Sequence, residues 1–358
     1  MILSNFFYED LFWKVDTLTF NKQNLVVGKN AVGKSKLLSS LSKVARIVSN
    51  KYPLAPNDSF RVALTMFDDP GNSFYYRFEW NGEKVMSEML TTINLEADRI
   101  ETVLERDEDH ASLLGDAFNP PSDTLAVHVR RDVVKYPYIE QLISWAENLV
   151  YISFNELDWM GAQTRITTVH SSSATLYDMV KKLKEHDKIH VVLDRANQLG
   201  YDLEYISPEE LGTYKTVIFR EKGLIVPLMD DDLSKGMFRT IYLLAYMEYI
   251  ALSDKPTTLL IDDLCEGLDY DRSTKLGKML FEFCEQNEIQ LIASSNDSFL
   301  MDAVDLQYWS ILQREDNVVS SVNYISNMDL FNDFKFTGLS NFDLFSSDFI
   351  KRHNTNKK

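Results

Sequence analysis

The run GKNAVGKS, residues 28–35, constrains this chain more than any other stretch. It fits G-x-x-x-x-G-K-[ST], with Gly28, Gly33, Lys34 and Ser35 at the defined positions. Glycines let the backbone fold around a phosphate so that its N–H groups point inward. Lys34 is expected to reach the outer phosphates and the Ser35 hydroxyl to ligate Mg²⁺. Lys29, Asn30, Ala31 and Val32 complete the loop, and Lys36 follows it. The context is the required one: the apolar NLVV precedes the motif as a buried strand, and residues 34–50 read as a helix whose N-terminal dipole faces the anion.

A second segment answers the first. TTLLIDD, residues 257–263, is an apolar strand ending in two acids. It carries Asp262 to the edge of a sheet where phosphates bind. Asp262 is expected to hold Mg²⁺, and Asp263 to orient or deprotonate the attacking water. From residue 234 onward helices and buried strands alternate: SKGMFRTIYLLAYMEYIAL, TTLLIDD, DRSTKLGKMLFEFCEQN, IQLIASSN. Such alternation implies an α/β fold with a mainly parallel core sheet.

Upstream, residues 1–27 and 60–93 read as strands, with turns at DDPGN and NGE marking an antiparallel N-terminal β part. EADRIETVLERDED, residues 96–109, reads as an acidic surface helix. YIEQLISWAENL and ATLYDMVKKLKEH are amphipathic helices. KIHVVLDRANQLG fits a strand and turn or a continued helix. TVIFREKGLIVPL reads as a hairpin across Lys222 and Gly223, and YWSILQRED with NVVSSVNYI as a last strand pair.

Composition narrows the function. The charge balance is 37 Lys and Arg against 54 Asp and Glu, a net of −17, so general nucleic-acid binding is not favoured, though a local groove stays open. No apolar run approaches the ~18 residues that span a bilayer, and the N-terminus carries no signal-peptide pattern. The two cysteines, Cys265 and Cys284, form no C-x-x-C, which fits a reduced compartment, the cytosol.

DLSKGMFR, residues 232–239, resembles the signature of ABC-type ATPases, with Ser234 and Gly236 at its core. LIDDLCEGLDYDRS resembles the Walker B and D-loop run of the same class, placing Asp269 in the D-loop. IASSNDSFL resembles the switch segment, placing Asn296 at the switch position. The closest resemblance is to soluble ABC-type ATPases of the SMC, RecF and OLD-like clade, often described as AAA family ATPases. LLIDDLCEGLDYDRS, SSNDSFLMDAVDLQYWSIL and FKFTGLSNFDLF are similar to small bacterial members found in anti-phage defence systems beside a separate effector protein. The resemblance implies an ABC-type P-loop ATPase head with ATP and Mg²⁺ as cofactors. It also implies a homodimer with ATP at the interface, where Ser234 and Gly236 cap the nucleotide of a second head.

The departures carry expectations of their own. Asp263 stands where the class commonly has glutamate, one methylene longer, so hydrolysis should be slow. Asn296 stands where histidine is common; it can donate to a phosphate but cannot change charge. No Q-loop glutamine is assigned. Arg239 is read as a phosphate or dimer contact.

The expected organisation is a head from residues 1–95 and 225–325, an inserted, mixed and largely helical lid or partner-binding region at 96–224, and a C-terminal segment at 326–358 ending in a disordered basic tail. His128, His170, His186 and His190 match no metal spacing, and Trp145, Tyr151, Phe154 and Trp159 read as core. The reading is an ATPase that dimerises on ATP and controls a separate effector. The alternative is a DNA-acting repair ATPase of the RecF or Rad50 kind.

Overall fold

The computed structural model describes residues 1–69, 71–94, 97–154, 167–168, 175–212, 214–252, 258–347 and 349–350. In chain order its elements begin with β1 (Ile2–Asp10), β2 (Lys14–Thr19), β3 (Gln23–Val27), α1 (Lys34–Val48), β4 (Phe60–Asp69), β5 (Asn72–Trp80) and β6 (Val85–Asn94). They continue as β7 (Arg99–Arg106), β8 (Ala111–Leu113), β9 (Asp116–Phe118), α2 (Ala126–Val129), α3 (Pro137–Glu147), β10 (Leu149–Ile152) and β11 (Thr167–Thr168). Then come α4 (Leu176–Glu185), α5 (Ile189–Gln198), β12 (Leu203–Leu211), β13 (Tyr214–Glu221), β14 (Leu228–Met229), α6 (Lys235–Ala251), β15 (Thr258–Ile261) and α7 (Tyr270–Gln286). The chain closes with β16 (Gln290–Ser294), α8 (Ser298–Ala303), β17 (Trp309–Glu315), β18 (Val318–Asn323), α9 (Met328–Lys335) and α10 (Asn341–Ser346).

Fifteen strands form one mixed sheet in the order β11-β10-β15-β16-β3-β17-β18-β2-β1-β4-β5-β6-β7-β8-β9. The run β10-β15-β16-β3-β17 pairs in parallel throughout. Its strands alternate between two cores. Leu25, Val27, Leu259, Ile261, Leu291 and Ala293 join the cluster that holds α4 to α7. Val26, Leu260 and Ile292 join the cluster that holds α1 and α3. A strand covered on both faces can be apolar at every position, which is why NLVV, TLLI and QLIA lack polar alternation.

From β1 to β9 the sheet is an antiparallel wing apart from the parallel β18–β2 pair at its root. The helix expected at 96–109 is not formed: β7 pairs along β6 from Asn94↔Arg99 to Glu88↔Arg106. The open edge of β6 offers a full ladder, and burial of Val103, Leu104 and Arg106 outweighs the helical preference of the charged residues between them. β7 thus continues the sheet to which β6 belongs. Further on, β10 lies against β15 in the parallel group.

KIHVVLDRANQLG resolves as helix α5, its Val192 and Ala196 buried four residues apart on one face. The hairpin expected across Lys222 and Gly223 is present as β13–β14, but the longer partner of β13 is β12, giving a three-stranded sheet. Among the described residues no helix is long and apolar enough to cross a membrane. His170, Trp159, Thr257 and the basic tail lie outside the described residues.

Candidate functional site

The phosphate-loop motif sits in the turn between β3 and α1. Gly28 has no room for a side chain: a Cβ there would lie 2.7 Å from Val32 Cγ1 and 3.3 Å from Leu312 Cβ. Gly33 has φ +112°, and its Cβ would meet the Trp13 ring at 3.2 Å. Ala31 also takes a left-handed backbone, at φ +63°. Gly33 is the N-cap of α1 and supplies no side-chain cap, so the first helical N–H groups are open to an anion.

Lys34 is buried, and its Nζ donates to the carbonyls of Gly28 at 2.9 Å and Lys29 at 3.4 Å. Burial holds its pKa below the ordinary lysine value, opposed by the charges of Asp263 and Asp262. Lys29, Asn30, Ala31, Ser35 and Lys36 are exposed, while Val32 is buried. Lys36 pairs with Asp10 at 3.6 Å and lies over the Trp13 ring at 4.7 Å. Beside the loop a cleft of about 880 Å³ runs between Lys29–Val32, the β17–β18 turn and Phe345–Ser347.

Parallel pairing brings the acids to the same edge. Register places Ile261 beside Ala293, and Ser294 beside Val26, so Asp262, Ser294 and the start of the phosphate loop leave the sheet together. Asp262 is 5 % exposed. Its Oδ1 accepts from Ser294 Oγ at 2.6 Å, its Oδ2 accepts from the Tyr151 phenol at 3.4 Å, and its N–H donates to the Ile152 carbonyl at 2.9 Å.

Asp263 has a left-handed backbone, φ +51°, and donates its N–H to Ser294 Oγ at 3.0 Å. Burial pushes its pKa up, Asp262 and Glu266 add to the rise, and Lys34 and Arg239 oppose it. Asn296 is exposed in the turn after β16, and the next residue, Asp297, caps α8 by accepting from Leu300 N–H at 2.7 Å.

A second group lies along the loop that follows Asp263. Ser234 is the N-cap of α6 and accepts from the Met237 N–H at 3.2 Å. Gly236 packs against the D-loop: a Cβ there would lie 3.1 Å from the Gly267 carbonyl oxygen. Asp269 caps α7, accepting from the N–H of Arg272 at 3.1 Å and from its guanidinium at 2.9 Å. Arg239, read as a phosphate or dimer contact, makes three hydrogen bonds within its own chain. It donates to Glu266 Oε2 at 2.9 Å, to the Glu266 carbonyl at 3.1 Å and to the Phe154 carbonyl at 3.1 Å.

Lys34, Asp262 and Asp263 are thus brought within electrostatic reach, while Gly236 and Asp269 lie at the far end of the Asp263–Asp269 loop, Gly236 against Gly267 and Asp269 at the start of α7. The sequence marks neither Tyr151 nor Ser294 as a site residue. Nothing local marks Tyr151, because its place depends on β10 pairing with β15, a strand more than a hundred positions away in the chain. Of the histidines, His128 is half-buried, its Nε2 2.9 Å from the Val48 carbonyl. Among the described residues no group of three or more His, Cys, Asp or Glu is arranged to hold a metal. Ser35 and Asp262 are oxygen donors of the kind that share Mg²⁺ with phosphates and water, and Asp262 keeps lone pairs beyond the two hydroxyls it accepts from.

Neither a protein-family model nor a curated protein sequence matches the chain. In structure it is similar to an Smc head bound to the C-winged helix domain of ScpA, at 12% identity over 92% of this chain and 100% of the other, with a TM-score of 0.51. It is similar to an Smc head domain with an extended coiled coil bound to the C-terminal domain of ScpA, from Pyrococcus furiosus, at 11% identity over 93% and 99% and a TM-score of 0.51. It also matches the SMC head domain from Thermotoga maritima, at 11% identity over 90% and 99% and a TM-score of 0.46. The chain has the fold of an SMC head domain. At these identities the likeness is one of fold.

Proposed function

We propose that the chain is an ABC-type ATPase that pairs with a second copy on binding ATP and Mg²⁺ and, through that pairing, controls a separate effector protein. The observation that carries the reading is the convergence of Lys34, Asp262 and Asp263 at the ends of neighbouring parallel strands. Lys34 would exchange its two loop carbonyls for phosphate oxygens. Ser35 and Asp262 would hold the metal, which neutralises phosphate charge when bound. Asp263 would orient the attacking water and take its proton, with Asn296 donating toward the outer phosphate. The shorter Asp263 side chain makes turnover slow.

Ser234 and Gly236, at the N-terminus of α6, would cap the nucleotide of the second copy, with Asp269 alongside, and the pair would be two-fold symmetric. We read residues 1–95 and 225–325, with β7 to β10, as the head, and the rest of 96–224 as the partner-binding part. A role in anti-phage defence rests on the sequence resemblance, and a cytosolic setting on the two cysteines without a C-x-x-C pair. Two of the similar head structures are themselves bound to a second protein, which supports a protein partner.

The test is the mass of the Asp263→Asn protein with Mg-ATP, and of what it retains at low salt. A two-copy complex holding a stoichiometric protein with little absorbance from nucleic acid supports the reading. DNA retained with ATP and lost at higher salt would replace it with the repair-type alternative.

A further inference from the structure

The strand β10 brings a hydroxyl to the acid that the sequence motifs leave unaccompanied. On one side of Asp262, Ser294 Oγ donates to Oδ1 at 2.6 Å. The same oxygen accepts from the Asp263 N–H at 3.0 Å. A serine hydroxyl has one proton and two lone pairs, so this one group orients the carboxylate of Asp262 and fastens the left-handed turn that presents Asp263. On the other side, the Tyr151 phenol donates to Oδ2 at 3.4 Å.

Both carboxylate oxygens are therefore addressed from opposite flanks of β15, by β16 and by β10. Ser294 lies in a strand otherwise made of apolar side chains and one buried glutamine. Two hydroxyls on one buried carboxylate, one of them also tied to the Asp263 N–H, form a positioning frame rather than incidental polarity.

We propose that Tyr151 and Ser294 are positioning residues for Asp262, fixing the rotation of its carboxylate so that the remaining lone pairs point at the divalent cation. This deepens the ATPase reading and rests on it. The frame also gives β10 a role in the site: a shift of that strand would turn Asp262 through the Tyr151 contact.

The experiment is Mn²⁺ binding in the presence of ADP, followed by the electron paramagnetic resonance of free Mn²⁺, with ADP affinity measured separately without metal. Tyr151→Phe and Ser294→Ala should each weaken Mn²⁺ about tenfold and leave metal-free ADP binding unchanged. Ser294→Thr, which keeps a hydroxyl, should stay within about twofold of the parent. Tyr324→Phe, whose phenol bonds Asn332 at 3.2 Å, serves as the control and should not move. Unchanged Mn²⁺ affinity in Tyr151→Phe and Ser294→Ala, with the parent binding normally, overturns the positioning role and leaves the ATPase reading standing. A parent that takes up neither ADP nor Mn²⁺ overturns that reading itself, and the positioning role with it.

Discussion

In the antiparallel wing, Glu88 is completely buried. It accepts from the N–H groups of Ala126 and Val127 and from the Tyr76 phenol, with Arg106 3.9 Å away. Arg106 is itself closed off by the carbonyls of Thr124 and Pro121. At the parallel strand ends, Lys34 and Asp262 are buried almost as deeply, but Lys34 is held by carbonyls of its own loop and Asp262 by two side-chain hydroxyls. The first cluster is sealed by backbone from a distant segment and pins α2 against the sheet. The second keeps spare lone pairs at an edge where the chain leaves the core. Burial alone does not separate a structural charge from a functional one; what satisfies the charge does.

That contrast can be broken in four ways, taken from the largest expected effect down. Glu88→Leu leaves Arg106 buried without its carboxylate and orphans two helix N–H groups. It should cost about 3–5 kcal/mol of stability, read by denaturant melts, while nucleotide affinity of the folded fraction is unchanged. Lys34→Ala should reverse the pattern. Turnover should fall by at least about a hundredfold, and the melting temperature should hold or rise, because a desolvated cation is removed. If Lys34→Ala instead unfolds the chain, the two clusters are alike and the contrast fails.

Gly33→Ala should weaken both stability and nucleotide binding. The left-handed backbone and the Trp13 contact together cost about 1–3 kcal/mol, checked by melts and by titration with a fluorescent nucleotide.

The smallest effect concerns His128. Burial holds its pKa below the ordinary value, Arg131 adds to that, and the Val48 carbonyl opposes it. The unfolded chain therefore takes up the proton first, so this group's contribution is intact above about pH 6.5 and is lost as pH falls below it. The fall in melting temperature between about pH 7.5 and 5.5 should be shallower in His128→Asn than in the parent.

The parts of this molecule that can be read along the chain are those whose cause is local. The phosphate loop follows from glycines that no side chain could replace, and the caps Ser234 and Asp269 follow from a hydroxyl or carboxylate one position before a helix. The three central parallel strands follow from short apolar runs between helices. What escapes is whatever depends on a distant partner. Residues 99–106 are strand because β6 has an open edge, and Tyr151 enters the site because β10 lies beside β15. Residues 189–198 are ambiguous in sequence because Val191 and Val192 favour a strand locally, and the packed face of α5 decides for helix.

The central claim is that the strand-end cluster is a nucleotide-hydrolysing site completed by a second copy. Phosphate release from Mg-ATP, measured against protein concentration for the parent and for Lys34→Ala, tests it most directly. The account predicts slow release whose rate per chain rises with protein concentration until pairing saturates, and none from Lys34→Ala. Release that is constant per chain and survives Lys34→Ala, or no ATP binding at any concentration, would contradict it.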